Sequence, residues 1–146
     1  MASFTFNHVG ITVHDLDRVT DFFLGLGFEL KGRAQVGGEW ADRVNGLDGT
    51  DADMAMVGAP DGSGAIELSA FRHPEVEGDS TGLLVNAHGL RHLAYEVDDV
   101  EAVVAKAHEA GYDLVRDLVD YQDVYRLAYI QGPEGIILEV AQPLNR

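Results

Sequence analysis

Residues 4–13 alternate in polarity. Phe4, Phe6, Val9, Ile11 and Val13 are apolar and polar or small residues stand between them, a period of two that predicts a strand. The period then changes. Leu16, Val19, Phe22, Phe23 and Leu26 fall at helical spacing, with Asp15 placed to cap the helix start and Gly27 to end it in a left-handed turn. Strands are expected over roughly 28–36, 52–58 and 64–71, the last two joined by the tight-turn signal of Pro60, Asp61 and Gly62.

The same order recurs 84 positions later. His8 aligns with His92, Val13 with Val97, Asp15 with Asp99, Val19 with Val103, Gly27 with Gly111 and Leu30 with Leu114. Strands are expected again over 112–119, 124–131 and 135–142, with Pro133, Glu134 and Gly135 as the closing turn. A repeated unit is one supersecondary structure copied. The reading is an α+β chain of two tandem βαβββ modules, 1–72 and 89–146, joined by a polar linker over 73–88 that is rich in Gly, Asp, Ser and Thr.

The repeat turns isolated residues into a pattern. Each copy carries a histidine in its first strand, His8 and His92, and a glutamate in its apolar last strand, Glu67 and Glu139. A carboxylate in such a strand is costly unless it is paired, hydrogen-bonded or bound to a metal. If the copies pack about a pseudo-twofold axis, all four residues converge. Two carboxylates neutralise a divalent ion, and imidazole suits Ni, Co, Zn, Mn or Fe better than Ca or Mg. Four protein ligands leave an octahedral ion two positions for substrate.

Composition narrows the partners. Ten basic and 25 acidic side chains give a net charge of −15, which repels nucleic acid and anionic membranes. The expected partner is a small molecule. An anionic one would need local arginines, of which Arg43 and Arg126 are the first candidates. Trp40 and Tyr125 are the aromatic candidates for substrate contact; Trp40, with Glu39, is expected to lie in a loop. There is no cysteine, so disulfides and thiolate sites are excluded. No signal-peptide pattern or apolar run of roughly 18 residues is present, and the expected compartment is the cytoplasm.

These motifs, "FNHVGITVHDLD", "LGFEL", "PDGSGAIEL", "LRHLAYEVDDVEA", "AGYDL" and "GPEGIILEV", resemble the vicinal oxygen chelate superfamily, which includes glyoxalase I, bleomycin-resistance proteins and extradiol dioxygenases. The resemblance implies a curved mixed sheet around a central cavity, a homodimer, and metal ligands at His8, Glu67, His92 and Glu139. That set is most similar to bacterial glyoxalase I. It implies a lyase or isomerase acting on a vicinal-oxygen or α-carbonyl compound through an enediolate, with Glu139 or Glu67 as the base. The superfamily also offers a dioxygenase of the extradiol type and a non-catalytic binding or resistance protein. The 33–50 segment departs from the glyoxalase pattern.

Overall fold

The computed structural model describes residues 2–145. The chain divides into two compact units, Met1–Gly78 and Asp79–Arg146. The first contains β1 (Val9–Thr12), α1 (Leu16–Gly25), β2 (Glu29–Gly37), α2 (Glu39–Asn45), β3 (Asp51–Gly58) and β4 (Ile66–His73). The second contains β5 (His92–Glu96), α3 (Val100–Glu109), β6 (Val119–Tyr121), β7 (Tyr125–Gln131) and β8 (Ile137–Pro143), with one 3-10 turn, Pro133–Gly135, before β8.

The duplicated α+β modules are present. The curved mixed sheet takes the form of two four-stranded sheets, ordered β1-β4-β3-β2 and β5-β8-β7-β6. In each, the first strand runs parallel to the last, and the remaining pairs are antiparallel. The helix caps repeat as well. Asp15 accepts from the Arg18 amide and Asp99 from the Ala102 amide, satisfying one orphan donor at each helix start. Gly27 and Gly111 take positive φ of 110° and 92° just beyond the helices, where a Cβ would be strained. Phe28 and Tyr112 then donate back to Phe23 and Ala107, the bond of a Schellman ending.

Each helix buries one stripe on one face of its own sheet. In the first module Val19, Phe22 and Phe23 meet Ala55, Val57, Ile66 and Leu68, and Phe23 is fully buried. In the second, Val100 and Ala107 face Ala128, Ile130, Leu138 and Val140. Side chains alternate across a strand, so the opposite face of each sheet remains available for chemistry.

Three expectations are corrected. The first strand is shorter than its polarity pattern: Phe4 and Phe6 are 96% and 77% exposed and lie outside it. Its ladder opens at Val9 opposite Ile66, where β4 itself begins, so residues 4–8 have no strand to bond. The 112–119 strand is reduced to a single bridge, Leu114 to Ile130, before β6. The region of Glu39 and Trp40 within 33–50 is not loop. The segment contains the end of β2 and the helix α2, which buries only Ala41 and so shows no apolar period to read. The Asp42 carboxylate secures α2 by accepting from the Gly49 and Thr50 amides.

Candidate metal centre

Strand pairing brings each histidine to its glutamate. In the parallel β1–β4 ladder Gly10 pairs with Glu67 and Thr12 with Ser69. His8 precedes Gly10 by two positions and therefore shares the face of Glu67. Its Nε2 lies 3.3 Å from Glu67 Oε2. In the β5–β8 ladder Ala94 pairs with Glu139, and His92, again two positions earlier, places Nε2 3.5 Å from Glu139 Oε1. Both pairs sit on the sheet face away from the helix. His8 itself lies one residue before β1.

These separations have a chemical meaning. A charge-assisted N–H···O bond is about 2.7–2.9 Å, shorter than either contact. Two ligands bound at about 2.1 Å to one ion lie about 3.0 Å apart at a right angle and about 3.4 Å at the tetrahedral angle. The pairs match the edge of a coordination polyhedron. Asn7 sharpens the case: its Oδ1 lies 2.5 Å from His8 Nδ1. An amide oxygen only accepts, so Nδ1 is the donor in this contact and Nε2 is the ring atom turned to Glu67. An imidazole nitrogen and a carboxylate oxygen at this spacing are both metal-ligand atoms. The donor set therefore fits a divalent metal.

The two pairs are supported differently. Tyr129 pairs with Glu139 across β7–β8. Its phenol faces that carboxylate, and its ring centroid lies 5.1 Å from that of His92. Burial first and then the Glu139 carboxylate push the phenol above its ordinary pKa. The matching position opposite Glu67 is Met56, which has no hydroxyl. Beyond His8 at 3.3 Å, Ser69 Oγ approaches Glu67 at 3.5 Å, at the limit of a hydrogen bond. Tyr129 was not singled out from sequence, although its alternation with Leu127 and Tyr125 placed it on the same face.

The remaining candidates separate. Tyr125 shares the Glu139 face and donates to Glu96 Oε1 at 3.0 Å. Arg126 takes the opposite face, where it grips Asp120 through two nitrogens and reaches Glu101 on α3. Trp40 and Arg43 lie three positions apart on α2, and both are exposed. Among the described residues no group of three or more histidine, aspartate or glutamate side chains is placed to hold an ion. Each module supplies a pair.

The fold and these motifs have relatives. Residues 5–140 match the model of the Glyoxalase/Bleomycin resistance protein/Dioxygenase superfamily. The uncharacterized protein YaeR of Escherichia coli K12 is 31% identical over 137 residues, covering 92% of each chain. A glyoxalase family protein from Bacillus cereus superposes with a TM-score of 0.93 at 39% identity, over 99% of this chain and 97% of the other. A glyoxalase I from Leishmania major shares the fold, with a TM-score of 0.64 at 22% identity over 96% of this chain and 87% of the other. With its repeat, its two mixed sheets and these likenesses, the chain belongs to the Glyoxalase/Bleomycin resistance protein/Dioxygenase superfamily.

Proposed function

We propose that His8, Glu67, His92 and Glu139 together bind one divalent metal, Ni, Co, Zn, Mn or Fe, and that the protein is a glyoxalase-like lyase or isomerase. Its substrate is a small molecule with neighbouring oxygens or an α-carbonyl group. The observation that carries this reading is the recurrence, in both modules, of a histidine Nε2 and a glutamate oxygen separated by 3.3 and 3.5 Å.

A bound divalent ion supplies Lewis acidity that polarises a carbonyl and acidifies the neighbouring C–H. The chain moves the proton. A glutamate oxygen takes it from the α-carbon, the C–H electron pair shifts toward the carbonyl, and the carboxyl returns the proton to the adjacent carbon. Glu139 faces the Tyr129 phenol. Glu67, opposite Met56, has no such phenol and beyond His8 only the long Ser69 contact, so it is assigned the base. Tyr125 and Trp40 are proposed as substrate contacts, with Arg43 as a hydrogen-bond donor to an uncharged oxygen. Arg126 would join them only by leaving Asp120 and Glu101.

Each module brings two ligands, so a full set needs two modules. The reading includes a homodimer in the cytoplasm. Phe4, Phe6 and Leu90, exposed by 96%, 77% and 91%, offer apolar surface beside the ligand strands for a second copy. Sedimentation of the purified protein tests the dimer.

The reaction is tested by solvent-deuterium exchange at the α-carbon of a panel of hemithioacetals and α-hydroxyketones with metal-loaded protein. Exchange that vanishes in a Glu67→Gln/Glu139→Gln variant is expected. No exchange with any compound would contradict the assignment.

A further inference from the structure

The face of the second sheet that carries Glu139 has a definite chemical character. Tyr125, Leu127 and Tyr129 stand on it from β7, in register with Pro143, Ala141 and Glu139 of β8. Ala94 stands on it from β5, paired with Glu139 and two positions from both His92 and Glu96. Ala94 is exposed and Ala141 is small, so the centre of the face is low, with taller side chains along the β7 side.

Its charge is equally definite. The only lysine or arginine on β5, β6, β7 or β8 is Arg126, and it points the other way. Arg126 pairs with Gln142, whose Oε1 accepts from the Val100 amide at the start of α3. That identifies its side of the sheet as the helix side. The groups with full charge on the Glu139 face are carboxylates, Glu139 and Glu96. On the first sheet Met54, Met56 and Ser69 share the Glu67 face, and Lys31, at the β2 bulge, is held by Glu29. Arg72 is held by Asp51 and Asp53, and Arg33 is turned to the helix-side face, toward Asp17. Two glutamates and two neutral imidazoles also cancel the charge of a divalent ion, leaving no excess positive charge to draw an anion.

We infer that this face of the second sheet is a platform for a neutral, flat, apolar molecule, an aryl or similar group bearing the two neighbouring oxygens, and not for an anionic conjugate. Tyr125, Leu127 and Tyr129 form its apolar wall, Ala94 and Ala141 give it depth, and His92 with Glu139 marks the edge where the oxygens bind. The inference rests on the proposed metal reading and names the substrate class of that site.

Calorimetry on metal-loaded protein, with metal content measured on the same sample, tests it with three probes. 2-Hydroxyacetophenone is neutral and aromatic, 4-(hydroxyacetyl)benzoate adds a remote carboxylate, and hydroxyacetone lacks the ring. The expected order is 2-hydroxyacetophenone at least about tenfold tighter than either of the others, since each 1.4 kcal/mol is one factor of ten. Leu127→Gln should remove most of that margin while metal content stays the same. Equal or tighter binding of the carboxylate probe by protein that holds its metal would overturn the platform and leave the metal reading intact. If no metal is held, the metal reading fails. NMR of wild-type protein with 2-hydroxyacetophenone then decides the platform alone. Shifts centred on Leu127, Tyr125 and Ala94 support it, and shifts elsewhere or none overturn it.

Discussion

Tyr129 stands directly opposite Glu139 across β7 and β8, and burial and the Glu139 carboxylate raise the pKa of its phenol. The same carboxylate lies 3.5 Å from His92 Nε2. Partners of this kind hold a ligand in its binding orientation and are typically worth about 10–100-fold in metal affinity. Tyr129→Phe keeps the ring and removes only the donor. It should weaken metal binding about tenfold in a chelator competition, with an unchanged circular dichroism spectrum. An unchanged affinity would mean that the hydroxyl does not support the site.

Asn7 has the corresponding role at His8, by a different route. Its Oδ1 fixes the proton on Nδ1 and so leaves Nε2 as the ligand atom. Asn7→Ala should lower metal affinity by about tenfold. Residue 7 lies outside the β1 ladder, so thermal stability without metal should not change. A loss of stability in the metal-free protein would show that the contact is structural.

The two glutamates should respond differently to the same change. Each glutamate faces its histidine; Glu139 also faces the Tyr129 phenol, whereas Glu67 has only the 3.5 Å Ser69 contact besides. Glu67→Gln should abolish deuterium exchange while retaining measurable metal. Glu139→Gln should lose metal first, with exchange falling in proportion to occupancy. The reverse pattern would transfer the base role to Glu139.

Asp42 gives the first module an acid-sensitive fastening. Its hydrogen bonds with the Thr50 side chain, the Thr50 amide and the Gly49 amide hold its carboxyl below the ordinary value of 3.8. A carboxyl whose folded pKa is depressed contributes stability that is present above that ordinary value and is lost as pH falls through the folded one. Asp42→Asn should therefore lower the melting temperature at neutral pH, and the gap from wild type should close at strongly acid pH. A gap that is constant with pH would exclude the ionised carboxylate as the cause.

The fold was legible because the repeat was. Asp15 and Asp99, then Gly27 and Gly111, cap both helices as their spacing implied. The two histidine–glutamate pairs also followed from matched positions, since parallel pairing of first and last strands is what makes them meet. Phe4 and Phe6 lie outside β1: alternation describes a strand's faces and not its bonds, and among the described residues the ladder opens only at Val9. The helix α2 escaped notice because a seven-residue helix with one buried side chain has no apolar stripe. Arg126 looked available because a charge in sequence carries no direction. On β7 it falls opposite Gln142 and turns toward α3. Tyr129 was hidden because its importance depends on register with Glu139, which only the ladder reveals.

The most direct test of the metal reading is elemental analysis of the untagged protein by plasma mass spectrometry, beside the Glu67→Gln/Glu139→Gln variant. The account predicts about one Ni, Co, Zn, Mn or Fe per chain in the wild type and none in the variant. Wild-type protein that takes up no divalent metal even after reconstitution would contradict it.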